Sequence, residues 1–140
     1  MAKKAGYVIG AWKSFEVIDV YTRAQAIEDG VLVDVSEWAR EYGFKFPLAV
    51  NKSVWALIGD SSGMKCAGQS VRGRGLDVMA MLALYIRRSS GGSVIHFPVI
   101  FATGINRRGN EIRKTFWLKS VCGPGDEGEP VITVTFPNED

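Results

Sequence analysis

The chain has 140 residues, of which 46% are hydrophobic and 23% are charged, a composition that excludes a disordered or low-complexity protein. Its length predicts a single domain, 1–140, with flexible ends at 1–6 and 137–140. The net charge of +2 is unevenly spread, because 65–119 holds ten basic and two acidic residues whereas 120–140 holds five acidic and no basic residues.

The N-terminal half predicts short helices around two short strands. Thr22 and Asn51 are suitable N-cap residues for helices that begin directly after them, and Ser36 is a third candidate. Gly30 ends the first helix, since glycine readily adopts the positive φ that often follows a helix. The predicted elements are helix 22–28, strand 31–35, helix 37–42, strand 48–50 and helix 52–58.

The C-terminal half predicts a long loop, one apolar helix and three strands. Residues 59–75 are rich in glycine and serine and show no sustained hydrophobic period, which favours a loop. The segment 76–88 is apolar almost all round and predicts a buried central helix. Strands are expected at 94–102, 113–121 and 131–136, with a hairpin loop at 104–110 between the first two.

These elements predict an α+β fold. The C-terminal strands form an antiparallel β-meander packed against the central apolar helix, and the short N-terminal helices with a strand complete the layer. Because a meander leaves a strand edge exposed, we also consider a homodimer formed through that edge.

Sequence features predict a cytoplasmic protein without a membrane contact. No apolar run approaches the roughly 20 residues that a membrane span needs, and Met1 is not followed by the apolar core of a secretory signal. Cys66 and Cys122 are too far apart for a CxxC pair and are expected to be reduced thiols.

Motifs for catalysis are incomplete. Residues 63–70, GMKCAGQS, resemble the phosphate-binding GxxxxGK[ST] loop, but Gln69 stands where that motif has its lysine. His96 is the only histidine and lies inside a predicted strand, so any Ser-His-Asp or Cys-His catalysis would depend on it. The sequence therefore predicts a protein that is not an enzyme and that uses no cofactor and no metal.

Charged residues are the candidates for contacts with a partner. Asp126, Glu127 and Glu129 lie in a glycine- and proline-punctuated loop, 123–130, which could present them to a basic partner or to the chain's own arginines. Basic side chains beside glycines in loops reach phosphate groups without obstruction, although a solvated hairpin face is the alternative reading. The candidate polyanion or partner contacts are Arg72, Arg74, Arg87, Arg88, Arg107, Arg108, Arg113, Lys114 and Lys119.

Three tracts carry a resemblance to a known family: 21–44, YTRAQAIEDGVLVDVSEWAREYGF; 46–57, FPLAVNKSVWAL; and 123–140, GPGDEGEPVITVTFPNED. Together they resemble an uncharacterised family of small bacterial proteins, a domain of unknown function encoded on plasmids, integrative elements and prophages. The resemblance implies an accessory protein of a mobile element, a class that often antagonises host defences, and it implies no catalytic residues. The signature positions of the first tract are Tyr21, Thr22, Arg23, Gln25, Asp29, Gly30 and Asp34.

Our leading hypothesis is a non-enzymatic protein that binds a host protein complex, such as a restriction or CRISPR effector, and inhibits it. Acidic segments at both ends of the chain would imitate phosphate toward a basic target, while the central cations serve for self-pairing or a second contact. An enzyme of unknown class, testable by substitution of His96, Arg23 or Asp34, is one alternative. The other is direct nucleic-acid binding through Arg72, Arg74, Arg107, Arg108 and Lys114.

Overall fold

The structure is a computed structural model that describes residues 21–60 and 68–139. The predicted flexible end at 1–6, Cys66 and most of the 63–70 motif lie outside this part of the chain. The helices of the described residues are α1 (Arg23–Glu28), α2 (Ser36–Arg40), α3 (Lys52–Ile58) and α4 (Val71–Arg88). Their strands are β1 (Leu32–Asp34), β2 (Leu48–Asn51), β3 (Val94–Ile105), β4 (Glu111–Pro124) and β5 (Pro130–Thr135).

The strands form one mixed sheet in the order β1-β2-β5-β4-β3. The pairs β3–β4 and β4–β5 are antiparallel, which confirms the predicted meander. The N-terminal strands extend the same sheet, because β2 pairs in parallel with β5 and β1 pairs antiparallel with β2. The long helix α4 packs against β3. Together with the short N-terminal helices, this arrangement confirms the predicted α+β fold.

Two of the three predicted helix caps are confirmed. The Thr22 hydroxyl accepts a hydrogen bond from the Gln25 amide at 3.0 Å, and the Gln25 side chain accepts one from the Thr22 amide at 2.9 Å. This reciprocal pair is a capping box, which satisfies amides that a helix start leaves unpaired. At the start of α3, the Asn51 side chain accepts from the Val54 amide at 2.9 Å. These caps fix where α1 and α3 begin.

The predicted cap at Ser36 is wrong. Ser36 is the first residue of α2, and its side chain makes no capping hydrogen bond to that helix. Its hydroxyl donates to the Asp34 carboxylate at 2.6 Å and accepts from the Leu48 amide at 3.0 Å. Ser36 therefore links the end of β1 to the start of β2. The Leu48 amide occupies the hydroxyl oxygen that a helix cap would use.

The predicted loop at 59–75 is also wrong over its last residues, because α4 begins at Val71. The Ser70 hydroxyl caps this start by accepting from the Gly73 amide at 3.0 Å. Gly75 lies directly against the Trp38 ring, so a Cβ at this position would overlap that ring. The glycines that suggest a loop in the sequence thus lie in a helix, where Gly75 permits close packing by α2.

Arg74 lies in the interior rather than on a loop, since only 2% of it is exposed. Its guanidinium donates to the carbonyl oxygens of Leu57 at 3.2 Å, Asp60 at 3.0 Å and Ala102 at 2.6 Å. It also lies 4.8 Å from the centroid of the Phe101 ring. Arg74 therefore joins α3, α4 and β3, and the prediction that it contacts a polyanion must be corrected.

The hydrophobic core lies between α4 and one face of the sheet, the inner face. Side chains alternate across each strand, so every second residue of β3, β4 and β5 points into this layer. Helix α3 closes the side next to β2. The largest fully buried side chains are Phe97, Phe101, Leu48, Ile58, Met79, Leu82, Leu118, Val50, Val54, Val78, Val99 and Val134.

Candidate functional site

The first and last signature tracts meet at the start of α1. The Asp126 carboxylate accepts hydrogen bonds from the Arg23 amide at 2.7 Å and from the Ala24 amide at 3.0 Å. The first amides of a helix have no partner within the helix, and the helix dipole favours negative charge there. Asp126 thus anchors the β4–β5 turn to α1 across about a hundred residues of sequence. Its carboxylate is engaged within the chain rather than presented to a basic partner.

The Arg23 side chain extends this junction across the sheet. Its guanidinium donates to the Thr133 hydroxyl at 2.7 Å and to the Ile132 carbonyl at 2.9 Å. Burial lowers the pKa of Arg23, and the nearby carboxylates of Asp34 and Asp126 act in the opposite direction. Arg23 therefore fastens α1 to β5, on the face of the sheet opposite the core.

The remaining signature residues also make contacts within the fold. The Tyr21 hydroxyl donates to the Asp29 carboxylate at 2.8 Å, which raises the pKa of Tyr21. Gly30 has a φ of +80°, a conformation that glycine adopts without strain, and it turns the chain from α1 toward β1. Asp34 holds Ser36 as described above. The signature therefore has a structural explanation.

The acidic turn, residues 125–129, is closed by its own hydrogen bonds. The Gly125 amide donates to the Glu129 carbonyl at 2.6 Å, and the Glu127 amide donates to the Glu129 carboxylate at 2.9 Å. A Cβ on Gly125 would overlap that carboxylate, so a larger residue there would displace the Glu129 side chain from the turn. Among the three predicted acidic contacts, Asp126 and Glu129 serve the chain itself, and the exposed Glu127 points its charge to solvent.

Two concave regions are lined by residues of the signature tracts. One, of about 420 Å³, lies on the outer face of the sheet beside Arg23 and Lys119 and is otherwise lined mainly by apolar groups and threonines. The other, of about 470 Å³, lies at the start of α2 and contains the stacked rings of Trp38 and Trp55, whose centroids are 5.9 Å apart. Asp34 lines the second region.

The predicted cationic contacts do not form one continuous patch. Exposed Arg72 pairs with Glu41 at 2.6 Å on the α2 side of the molecule. Arg87 and Arg88 are exposed at the end of α4, where the helix dipole favours positive charge. Lys119 donates to the Glu139 carbonyl at 2.7 Å, within the segment 137–140 that we predicted to be flexible.

The remaining four cations lie together at the end of the β3–β4 hairpin. We call this group, Arg107, Arg108, Arg113 and Lys114, the basic tip; all four are exposed. Arg113 pairs with Glu111 at 3.0 Å, and the Lys114 ammonium lies 5.4 Å from the Phe116 ring centroid. Exposed ion pairs are weak, and Glu111 can offset only one of the four positive charges. The basic tip therefore keeps a net positive charge.

An exposed apolar surface along the β3–β4 hairpin was not predicted from the sequence. It lies on the outer face of the sheet and consists of Val94, Pro98, Ile100 and Trp117, which we call the outer hairpin face. Ile100 is 56% exposed and Trp117 is 52% exposed, and Trp117 lies opposite Pro98 in the ladder. The sequence signal was available, because residues 94–101 are mostly apolar at both even and odd positions, whereas a strand with one solvated face alternates with polar residues.

His96 is exposed on the outer face, opposite Lys119 in the ladder. Across residues 21–60 and 68–139, no group of three or more His, Cys, Asp and Glu side chains is arranged to hold a metal ion. Within the same ranges, none of the helices has the length and apolar character needed to cross a membrane.

The geometry thus defines an α+β protein with a signature-stabilised sheet and a basic hairpin tip. The chain belongs to the family of unknown function DUF6573, whose model matches residues 10–140. This match confirms the resemblance to an uncharacterised family. A search of curated proteins and a search of solved structures each found no match.

Proposed function

We propose that this protein is a non-enzymatic binding protein that uses the basic tip to engage an acidic surface of a host protein complex. The observation that carries the proposal is the grouping of four exposed cations at the end of one hairpin. β5 pairs with β4 over 119–124, so the 111–118 part of β4 pairs with β3 alone among the described strands. The tip therefore stands at the end of a two-stranded arm, accessible to a large partner.

A protein surface is favoured as the partner because apolar side chains lie among these cations. Ile105 and Ile112 flank the hairpin turn, and each is 44% exposed. Protein interfaces combine arginine with large apolar side chains in this way, and their binding energy concentrates in a few such residues. The acidic turn is less suited to contact a partner, because Asp126 and Glu129 are engaged in hydrogen bonds within the chain and imitate phosphate poorly. The contact surface of this protein is therefore expected to be basic and that of the partner acidic.

We further propose that the partner belongs to a host defence system, such as a CRISPR or restriction effector. The protein would then act in the cytoplasm as an accessory of a plasmid, integrative element or prophage. This part of the proposal is supported by the resemblance of the tracts 21–44 and 123–140 alone. Its test is the survival of a targeted plasmid in cells that carry the defence system, with and without this protein, together with the identity of the neighbouring genes.

The test of binding compares two variants that change the net charge equally. Tagged wild-type protein, the R107E/R108E variant and the R87E/R88E variant are used to capture partners from nuclease-treated host lysate. We expect a stoichiometric protein that binds the wild type and R87E/R88E but is lost with R107E/R108E. With the purified partner, titration calorimetry should show at least a tenfold weaker affinity for R107E/R108E, since charge reversal opposes an acidic surface. Equal binding by all three proteins would refute the role of the tip.

Direct nucleic-acid binding is the second candidate, favoured by one observation. Trp117 and Arg113 lie on the same face of β4, four residues apart, so a base could stack on the ring while a phosphate meets the guanidinium. This function predicts that a labelled single-stranded oligonucleotide binds with an affinity that falls steeply with salt, with a slope reduced by about one for each cation removed. Binding that is absent, or that is insensitive to salt, would exclude it.

A further inference from the structure

The outer hairpin face is an exposed apolar surface formed by β3 and the middle of β4. β4 has basic residues at one end and acidic residues beyond the other. Residues 94, 96, 98 and 100 of β3 share one face, and the ladder places Trp117 and Val121 of β4 on the same side. The opposite side of these strands carries the core. An exposed apolar surface that is bordered by polar or charged residues often marks an interaction site.

The edge of β3 is poorly suited to pair with another strand. The Cys122 amide donates to the Ser93 carbonyl at 2.8 Å, so up to residue 101 the odd-numbered residues of β3 bond to β4 and the even-numbered residues point their backbone groups away from it. Pro98 is even-numbered and has no amide hydrogen to offer at the edge. A proline at this position hinders strand addition, as in natural edge strands. The flat face, rather than the edge, is therefore the surface available for association.

The charges are arranged so that this face is complementary to itself. β4 runs from the basic tip at one end to the acidic turn at the other, and its 14 residues span about 45 Å. Trp117 lies near the middle of this span. A two-fold axis that crosses β4 at Trp117 reverses the strand direction, so the basic tip of each copy meets the acidic turn of the other. An axis along β4 would instead place tip against tip, where like charges repel.

The layout of the sheet agrees with the reversed arrangement. α1 and β5 flank β4 next to its 119–124 half, where Arg23 crosses β5. The other half of β4 pairs with β3 alone among the described strands. In an antiparallel pair, the α1 helix of each copy would lie beside the 111–118 half of the other copy's β4. That half has neither α1 nor β5 next to it within its own chain. The two copies can then approach without placing helix against helix.

We propose that the outer hairpin face is a homodimer interface, in which a second copy of this chain packs antiparallel with Trp117 near the two-fold axis. Pro98, Ile100 and Trp117 form the apolar centre of the contact, and His96 and Lys119 of the same face lie beside it. The exposed Glu127 of the acidic turn faces Arg107 and Arg108 at each end. This inference goes beyond the proposed function, because it concerns the isolated protein. One consequence links the two: an acidic partner that binds the basic tip competes with the second copy.

The oligomeric state of the full chain tests the proposal by sedimentation velocity over a range of protein concentrations. We expect a dimer for the wild type and at least a tenfold weaker dimer for W117S and for I100K. The control Y42S removes an exposed aromatic side chain from the turn after α2 and should leave the dimer unchanged. Circular dichroism of each variant establishes that it is folded. A wild type that is monomeric at all concentrations, or a dimer that W117S and I100K leave intact, would overturn the proposal.

Charge exchange tests the direction of packing. R107E/R108E and E127K should each weaken the dimer, and their combination in one chain should restore it, since each reversed tip then meets a reversed turn. A combination no stronger than its parents would overturn the antiparallel arrangement. This measurement is independent of the proposed function, because no partner is present in it. If the protein dimerises but captures no partner, only the proposed function is refuted. If it captures a partner but the wild type is monomeric, only the dimer is refuted.

Discussion

Replacement of Asp126 by alanine tests the junction between the two signature tracts. The substitution removes both hydrogen bonds to the first amides of α1, at 2.7 Å and 3.0 Å, and the negative charge beside Arg23. The turn itself keeps its closing bonds, which involve Gly125, Glu127 and Glu129. D126A should therefore destabilise the attachment of α1 to the sheet without changing the fold of the turn.

The size of the effect follows from the geometry. Two amides lose a charged acceptor at an exposed helix start, where the loss of a cap typically costs about 1 kcal/mol, so the expected cost is about 1–2 kcal/mol. For a chain of this length, the entropy of unfolding of about 2 cal/mol/K per residue converts that cost to a decrease in Tm of about 3–7 °C. D126N, which keeps one acceptor oxygen but no charge, should lose roughly half as much.

The assay is urea and thermal unfolding followed by tryptophan fluorescence and circular dichroism. The matched control is E127A, compared at protein concentrations at which the chain is monomeric, because the side chain of this adjacent residue points to solvent in the single chain. Hydrogen exchange gives a local readout: the amides of Arg23 and Ala24 should exchange faster in D126A and at the wild-type rate in E127A. Equal unfolding midpoints for D126A and E127A, with unchanged exchange at both amides, would show that Asp126 does not anchor α1.

Two further predictions concern residues that hold other parts of the chain. R74M should destabilise the protein by roughly 3–5 kcal/mol in urea unfolding, because three carbonyl oxygens lose a buried charged donor, whereas the exposed R72M should change stability by less than about 0.5 kcal/mol. Hydrogen bonds from Asn51, from the Phe136 amide and from Ser53 lower the pKa of Glu139 in the folded state. Its stabilising effect is then present above the ordinary glutamate pKa of about 4.3 and lost as the pH falls through the lower folded value, so the difference in Tm between wild type and E139Q should shrink on acidification. A difference in Tm that is constant with pH would contradict this assignment.

Local signals explain why much of the secondary structure could be predicted. Thr22 and Asn51 cap helices through amides only three residues away, and the alternation in β5 reports a strand with one buried face. The charged group at the hairpin tip was also predictable, since Arg107 and Arg108 lie in a loop whose turn residues are visible in the sequence. These features depend on residues that are close together in the sequence, so their patterns can be recognised in the sequence alone.

Other outcomes depended on residues far away in the chain. The glycines and arginines at 72–75 indicate a loop locally, but Gly75 accommodates Trp38 and Arg74 binds carbonyl oxygens of α3, β3 and the segment after α3, so a helix forms there. The nine candidate cations divide into separate groups for the same reason: their positions follow from packing rather than from their order in sequence.

From the sequence alone we could predict the class of the fold, two of the helix caps, the hairpin and the uneven distribution of charge, because each shows in residue patterns along the chain. The tertiary structure was needed to show that Asp126 holds α1, that β2 joins β5 in parallel and that Trp117 is exposed near the middle of β4. Those features depend on residues that lie as much as about a hundred positions apart, and the free energy of burying the core selects them over the local preferences of each segment.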